Sequence, residues 1–233
     1  MLKSYKAIGA SVVFFKDGEI VDAYHFGRAN RADDIPVTGD TLFRIASISK
    51  MVTAVGLLRL MEMGMFELDE DVGRYYDFPV RNPYFPNTPI TIRQIMTHTA
   101  SLQDYGHYNR ALNGDIIRLQ SVFNGDYART DFNRHEPGTY VDYSNFGGGL
   151  LGSLIELFTG MTVDEWMVES VFQPLGLTAS YFTPNLPEGT PIARIYNVEN
   201  YGMTMDSMAL TYTDYVEDCE RHYTYTAGGL CIS

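Results

Sequence analysis

The stretch Thr41-Leu42-Phe43-Arg44-Ile45-Ala46-Ser47-Ile48-Ser49-Lys50 passes from a short apolar run into a helical segment that extends to about Met63. Along that segment Val52, Val55, Leu58 and Met61 recur at three-residue spacing, and Leu57 and Leu60 widen the apolar stripe. Gly64 stands where a helix closes on a left-handed residue. At the start of the helix, Ser47 and Lys50 are three residues apart, so they share a face and can share a hydrogen bond. A serine hydroxyl is a weak nucleophile until a base takes its proton. Lysine can be that base when desolvation or nearby positive potential lowers its pKa. The helix N-terminus adds unbonded N–H groups and a positive dipole end, both useful beside a developing oxyanion.

As a bare pattern S-x-x-K is weak, since chance supplies about one in a chain of this length. The plainer reading is a capped helix carrying a solvated lysine. Lysine usage shifts the balance. The chain has four lysines, at positions 3, 6, 16 and 50, against thirteen arginines. Lys50 is therefore the only lysine after position 16, and it stands beside a largely apolar stripe. Arginine would serve equally as a solvated charge, but not as a proton shuttle, because a guanidinium does not deprotonate.

Upstream, Ser11 to Phe15 and Glu19 to Phe26 are β-branched and aromatic runs joined by Lys16-Asp17-Gly18, a strong hairpin signal. Arg28 to Asp40 is a polar loop. Downstream, Asn82 to Pro89 reads as a loop and Thr91-Ile92-Arg93-Gln94 as a capping box opening a short helix. Gly147 to Phe158 reads as a second buried helix ended by Gly160. A further capping box, Thr162-Val163-Asp164-Glu165, opens a helix carrying Trp166, Val171 and Phe172, which Pro174 stops. From Pro184 onward the pattern is loop-like. A hairpin followed by helices, with no internal repeat, points to an α+β fold.

A second constellation is Tyr143-Ser144-Asn145, after Glu136-Pro137-Gly138 and before the glycine run 147–149. A tyrosine can relay a proton, and an asparagine amide can bind a substrate carbonyl while touching a lysine. Its plain alternative is a polar turn that caps a helix. His98 reads as a hydrogen-bonded structural histidine. His25, His107, His135 and His222 have no partner at ligand spacing, so no metal site is expected. Asp69, Glu70 and Asp71 read as a solvated acidic turn. The glycine run lacks the lysine of a phosphate loop. Tyr212, Tyr215, Tyr223 and Tyr225 read as core or loop packing.

With 233 residues, 45% of them hydrophobic and 20% charged, the chain is long enough to bury a sizeable core. A net charge of −12 argues against nucleic acid, whose phosphates need Lys and Arg, and against an anionic membrane surface. No apolar run approaches the length of a membrane span. Met1-Leu2-Lys3-Ser4-Tyr5-Lys6 has no apolar segment behind it, so a cytoplasmic protein is expected, or a secreted or periplasmic one whose signal is already removed. Cys219 and Cys231 make no disulfide framework and read as free thiols.

Taken together, these segments resemble the β-lactamase-related serine hydrolases: class C β-lactamases, penicillin-binding D-alanyl-D-alanine carboxypeptidases, D-aminopeptidases and related esterases. The resemblance rests on the hairpin Ser11 to Gly27, residues 41–50, and Thr91 to Leu102 with Thr97-His98-Thr99. It continues through Pro137-Gly138, Tyr143-Ser144-Asn145 and Leu151-Gly152 to Pro174-Leu175-Gly176-Leu177 and Ala227-Gly228-Gly229-Leu230. It implies an antiparallel sheet flanked by helices plus an all-helical lobe. Residues 1–65 would give the N-terminal part of the sheet lobe with the nucleophile helix, 66–190 the mostly helical lobe, and 191–233 the return toward the sheet. It also implies that Ser47 becomes acylated by an amide, D-amino-acid peptide, β-lactam or ester. Lys50 and Tyr143 would manage protons and Asn145 would orient the substrate, without a cofactor. The alternative is a non-catalytic binding or interaction module on the same scaffold.

The family's third motif, Lys-Thr-Gly or His-x-Gly on a strand beyond the Ala227–Leu230 block, has no match here. No lysine lies beyond position 50, and His222-Tyr223-Thr224 has Thr where the motif needs Gly. The sheet is therefore expected to be incomplete, its hairpin marginal and its edge open to another chain. A fragment, a remnant, or a piece completed by a second polypeptide would each account for this. Completion by a second piece is the favoured reading.

Overall fold

The computed structural model describes residues 7–112, 119–125, 128–196 and 226–233. The hairpin forms as expected from strands β1 (Gly9–Lys16) and β2 (Glu19–Asn30), and β3 (Ile35–Pro36) adds to the far end of β2. Asp17 and Gly18 both have positive φ, 54° and 85°, the backbone of a type I′ turn, which matches the twist of paired strands. The register runs Lys16 opposite Glu19 to Gly9 opposite Gly27, with a bulge at Phe14/Phe15.

A second small sheet has the order β4-β6-β5 and draws together three distant segments: β4 (Phe43–Arg44), β5 (Ala179–Ser180) and β6 (Cys231–Ile232). Phe43 and Ala179 both pair with Ile232, and Arg44 and Ser180 with Cys231. Cys231 is a buried free thiol whose pKa burial pushes up to about 11. Cys219, His222 and the tyrosines at 212, 215, 223 and 225 lie outside the described residues.

The helices are α1 (Ile48–Glu62), α2 (Ile92–Met96), α3 (His107–Leu112), α4 (Leu119–Asn124), α5 (Asn145–Thr159) and α6 (Val163–Met167). Both capping boxes are present: Thr91 and Gln94 satisfy each other's backbone N–H groups at α2, and Thr162 and Glu165 do so at α6. Helix α5 starts at Asn145, two residues before the expected start, and closes on left-handed Gly160. The α geometry of α6 gives way at Val168 to a π turn, before Pro174 is reached in the following 3-10 turn. Leu57 and Leu60 of α1 pack with Phe146, Leu150 and Leu154 of α5, with Ile92 and Ile95 of α2 and with Met167 of α6. Each such fully buried side chain contributes about 1.5–3 kcal/mol. Among the described residues no single helix is long and apolar enough to cross a membrane.

Two expectations are corrected. Helix α1 buries the stripe read from its sequence only in part: Leu57 and Leu60 are buried, Val52, Leu58 and Met61 are half-buried and Val55 is exposed, while Ser49, Lys50, Thr53 and Gly56 are buried beside them. Beside those leucines the inward face carries small residues where neighbouring helices approach closely. A Cβ at position 56 would lie 2.1 Å from Met167 Sδ, and the Trp166 indole donates to Gly56 O at 3.1 Å. The acidic turn is not simply solvated either. Asp69 pairs with Arg93, Glu70 with Arg74 and Tyr75, and Asp71 with Arg81. The Arg93 guanidinium holds the Asp69 carboxyl below its usual range.

Candidate active site

The backbone entering α1 is strained at Ala46, whose φ of 47° is unusual for a residue with a Cβ. The turn it makes leaves Ser47 with helical dihedrals, φ −63° and ψ −13°, and its side chain caps nothing. The hydroxyl of this exposed residue instead faces Lys50, at 3.3 Å from Nζ. The expected pool of unbonded N–H groups is smaller than a helix start normally offers. Ile48, Ser49 and Lys50 donate to Ile45 O, Ala46 O and Ser47 O. The turn wound by Ala46 brings those carbonyls within reach.

Lys50 is not a solvated lysine: it is only 8% exposed. Its stem lies along α5 at Gly148, where a Cβ would come within 2.8 Å of Lys50 Cγ and Cε. Nζ donates to Asn145 Oδ1 at 2.7 Å and to Ala227 O at 2.5 Å. It also stands 5.0 Å from the centroid of the Tyr143 ring, over its face. The structure thus brings Ser47, Lys50 and Asn145 into one hydrogen-bonded group. Tyr143 meets that group by its ring, and it is half-exposed.

The second constellation is held from behind by two residues. His98 has a φ of 57°, packs its ring 4.5 Å from that of Tyr143, and accepts the Ser144 N–H on Nδ1 at 3.3 Å. Burial, with Lys50 adding to it and Asp104 opposing, pushes the His98 imidazole below its usual pKa. Asp104 receives four hydrogen bonds from Ser144, Asn145 and Phe146.

The segment 226–233 closes the other side. Thr226 Oγ1 donates to Gly148 O, Arg44 Nε to Gly228 O, and Leu230 N–H to Ser49 Oγ. Gly148, Asp104 and Ala227 escaped the sequence reading of the site. Only the glycine run gives a signal, and in the sequence it reads as a run lacking the lysine of a phosphate loop, not as room for a lysine stem. Among the described residues no three His, Cys, Asp or Glu side chains converge where they could hold an ion.

A family model described as Beta-lactamase matches residues 1–232. A penicillin-binding protein of Bacillus subtilis (strain 168) is 30% identical over 177 residues, covering 72% of this chain and 36% of the relative. The esterase EstB of Burkholderia gladioli is 29% identical over 201 residues, covering 80% of this chain and 50% of the relative. The octameric penicillin-binding protein homologue from Pyrococcus abyssi superposes with a TM-score of 0.76 at 24% identity, over 100% of this chain and 51% of that one. The chain thus spans between a third and a half of the length of these curated relatives.

Proposed function

The chain belongs to the beta-lactamase family, and from that premise we propose that it carries the nucleophile side of a serine hydrolase site, with Ser47 forming an acyl-enzyme. The observation that carries this reading is the set of partners around Lys50 Nζ. Asn145 Oδ1 and Ala227 O are acceptors only, whereas the Ser47 hydroxyl can also donate. A neutral amine has two N–H bonds and one lone pair. With both N–H groups held by the two carbonyl oxygens, the lone pair is left for the Ser47 O–H. In the structure Nζ donates to all three oxygens; once Lys50 has given up a proton, the Ser47 hydroxyl is the one partner of the three able to turn its O–H to the lone pair, as a general base requires.

In the proposed reaction Ser47 Oγ attacks a carbonyl carbon as its proton passes to Lys50 Nζ. Ser47 N–H, which has no backbone acceptor among the described residues, donates to the developing oxyanion. Collapse expels the amine or alcohol, which takes a proton relayed through Lys50 and Tyr143. Water then attacks the ester and regenerates Ser47. Asn145 Nδ2 gives one hydrogen to Asp104 and retains a second for a substrate carbonyl. The substrate class is an amide, D-amino-acid peptide, β-lactam or ester. The family resemblance supplies that range, and Ser47 and Tyr143 are both open to solvent.

Intact-mass analysis after incubation with a fluorophosphonate or a β-lactam tests the reading. One adduct on the wild-type chain, absent from Ser47→Ala, is expected. An adduct that survives Ser47→Ala would sink it.

A second polypeptide completing the sheet is proposed alongside. Its support is that both faces of the hairpin are bare: Phe15 is 76% and Ile20 71% exposed, with Val13, Val21 and Tyr24 also outward. Co-expression with the polypeptide coded directly downstream should slow amide exchange across residues 9–30. Unchanged exchange would count against completion.

A further inference from the structure

We propose that Asp104 is a positioning residue that decides which end of the Asn145 amide Lys50 meets; this rests on the acyl-transfer reading of Ser47 and Lys50. Asp104 Oδ2 accepts the Asn145 backbone N–H at 2.9 Å and Asn145 Nδ2 at 2.8 Å. Oδ1 accepts the Ser144 hydroxyl and the Phe146 N–H, both at 3.0 Å. An ionised carboxylate can only accept, so it selects the NH2 end of the Asn145 side chain. The single acceptor end, Oδ1, is thereby turned to Lys50 at 2.7 Å.

The consequence falls on the lysine lone pair. With Oδ1 presented, neutral Lys50 spends its N–H groups on Asn145 and Ala227 and keeps its lone pair for Ser47. With the amide reversed, Asn145 would offer a donor, and that donor would compete with the Ser47 hydroxyl for the same lone pair. Asp104 therefore acts on the nucleophile through Asn145, without touching it. Helix capping accounts for the bonds from Asn145 N–H and Phe146 N–H, which open α5. It does not require the bond to Nδ2, and that bond carries the positioning role.

The test is the rate of Ser47 labelling by a fluorophosphonate as a function of pH. Asp104→Asn turns an amide donor toward Asn145 and should slow labelling about 10–100-fold, as loss of an outer partner commonly does. Adding Asn145→Asp to that variant restores an acceptor toward both Lys50 and position 104. Labelling should then recover about tenfold, with its pH profile moved to the alkaline side because a carboxylate holds the lysine proton. If Asp104 only caps α5, the double variant will be no faster than Asp104→Asn, and the proposal is overturned. If Asp104→Asn does not fold, the double variant is set against Asn145→Asp alone, in which two carboxylates face each other, and a double variant no faster than that single one overturns it. A wild-type chain that takes no label would instead sink the reading of Ser47. Nitrogen-15 spectra of the Asn145 side-chain NH2 then decide for Asp104. Protection from exchange that Asp104→Asn removes supports positioning, and unchanged protection refutes it.

Discussion

Lys50 Nζ and Asn145 Oδ1 lie 2.7 Å apart, joining α1 to α5 across 95 residues of sequence. The contact forms because Gly148, one helical turn beyond Asn145, leaves room for the lysine stem. It places a buried amine under an exposed serine hydroxyl, so each measurement below on Ser47 also reports on the α1–α5 contact.

Replacing Lys50 by arginine should abolish labelling of Ser47 even though the charge is retained. A guanidinium keeps its protons, and general-base assistance is worth about 10²–10⁴ in rate. Time-resolved mass spectrometry with a fluorophosphonate checks this. A Lys50→Arg chain that labels within tenfold of the wild type would show that Lys50 is not the base.

Gly148→Ala separates helix propensity from the site. Alanine in a helix interior is favoured over glycine by about 1 kcal/mol, yet its Cβ would fall 2.8 Å from two Lys50 carbons. Labelling should drop at least about tenfold while far-ultraviolet dichroism keeps its helical signal. A faster or unchanged rate would mean that the lysine stem does not depend on that gap.

Thr91→Ala and Thr162→Ala each remove a side-chain acceptor from a helix start. Each should cost about 1 kcal/mol in urea denaturation. Because the two caps serve different helices, the double variant should show the sum to within about 0.5 kcal/mol.

His98 makes stability pH-dependent with a definite sign. Its folded-state pKa lies below the ordinary histidine value, through burial and then the Lys50 charge. Its contribution is therefore complete above the ordinary value and is lost as pH falls through the folded one. His98→Asn keeps a residue that tolerates positive φ. Urea midpoints measured from pH 8 down to pH 5 should fall more steeply for the wild type than for the variant. Parallel curves would remove His98 from the account.

The parts legible in the sequence were those set by neighbours along the chain. Asp17-Gly18 dictates its turn, Thr91 with Gln94 and Thr162 with Glu165 dictate helix starts, and Gly64 and Gly160 dictate helix ends. The three-residue step from Ser47 to Lys50 places both on one face of a helix whatever the rest of the molecule does. The apolar stripe on α1 locates Leu57 and Leu60 in the core but misses Ser49, Lys50 and Thr53, whose burial follows close helix approach at Gly56 and Gly148 rather than side-chain apolarity. Asp104 gave no signal, since an isolated carboxylate shows its purpose only when the groups that donate to it have arrived.

By itself, then, the sequence determined an α+β chain with a hairpin and a helix whose first turn holds a Ser–Lys pair at hydrogen-bonding distance. Tertiary structure alone decided that Lys50 is buried, that its N–H groups go to Asn145 and to an Ala227 carbonyl 177 residues away, and that its third contact is the Ser47 hydroxyl. The reason is geometric. Contacts within one helical turn are fixed by the helix itself, whereas the partners of a buried amine are fixed by how three distant segments pack around it.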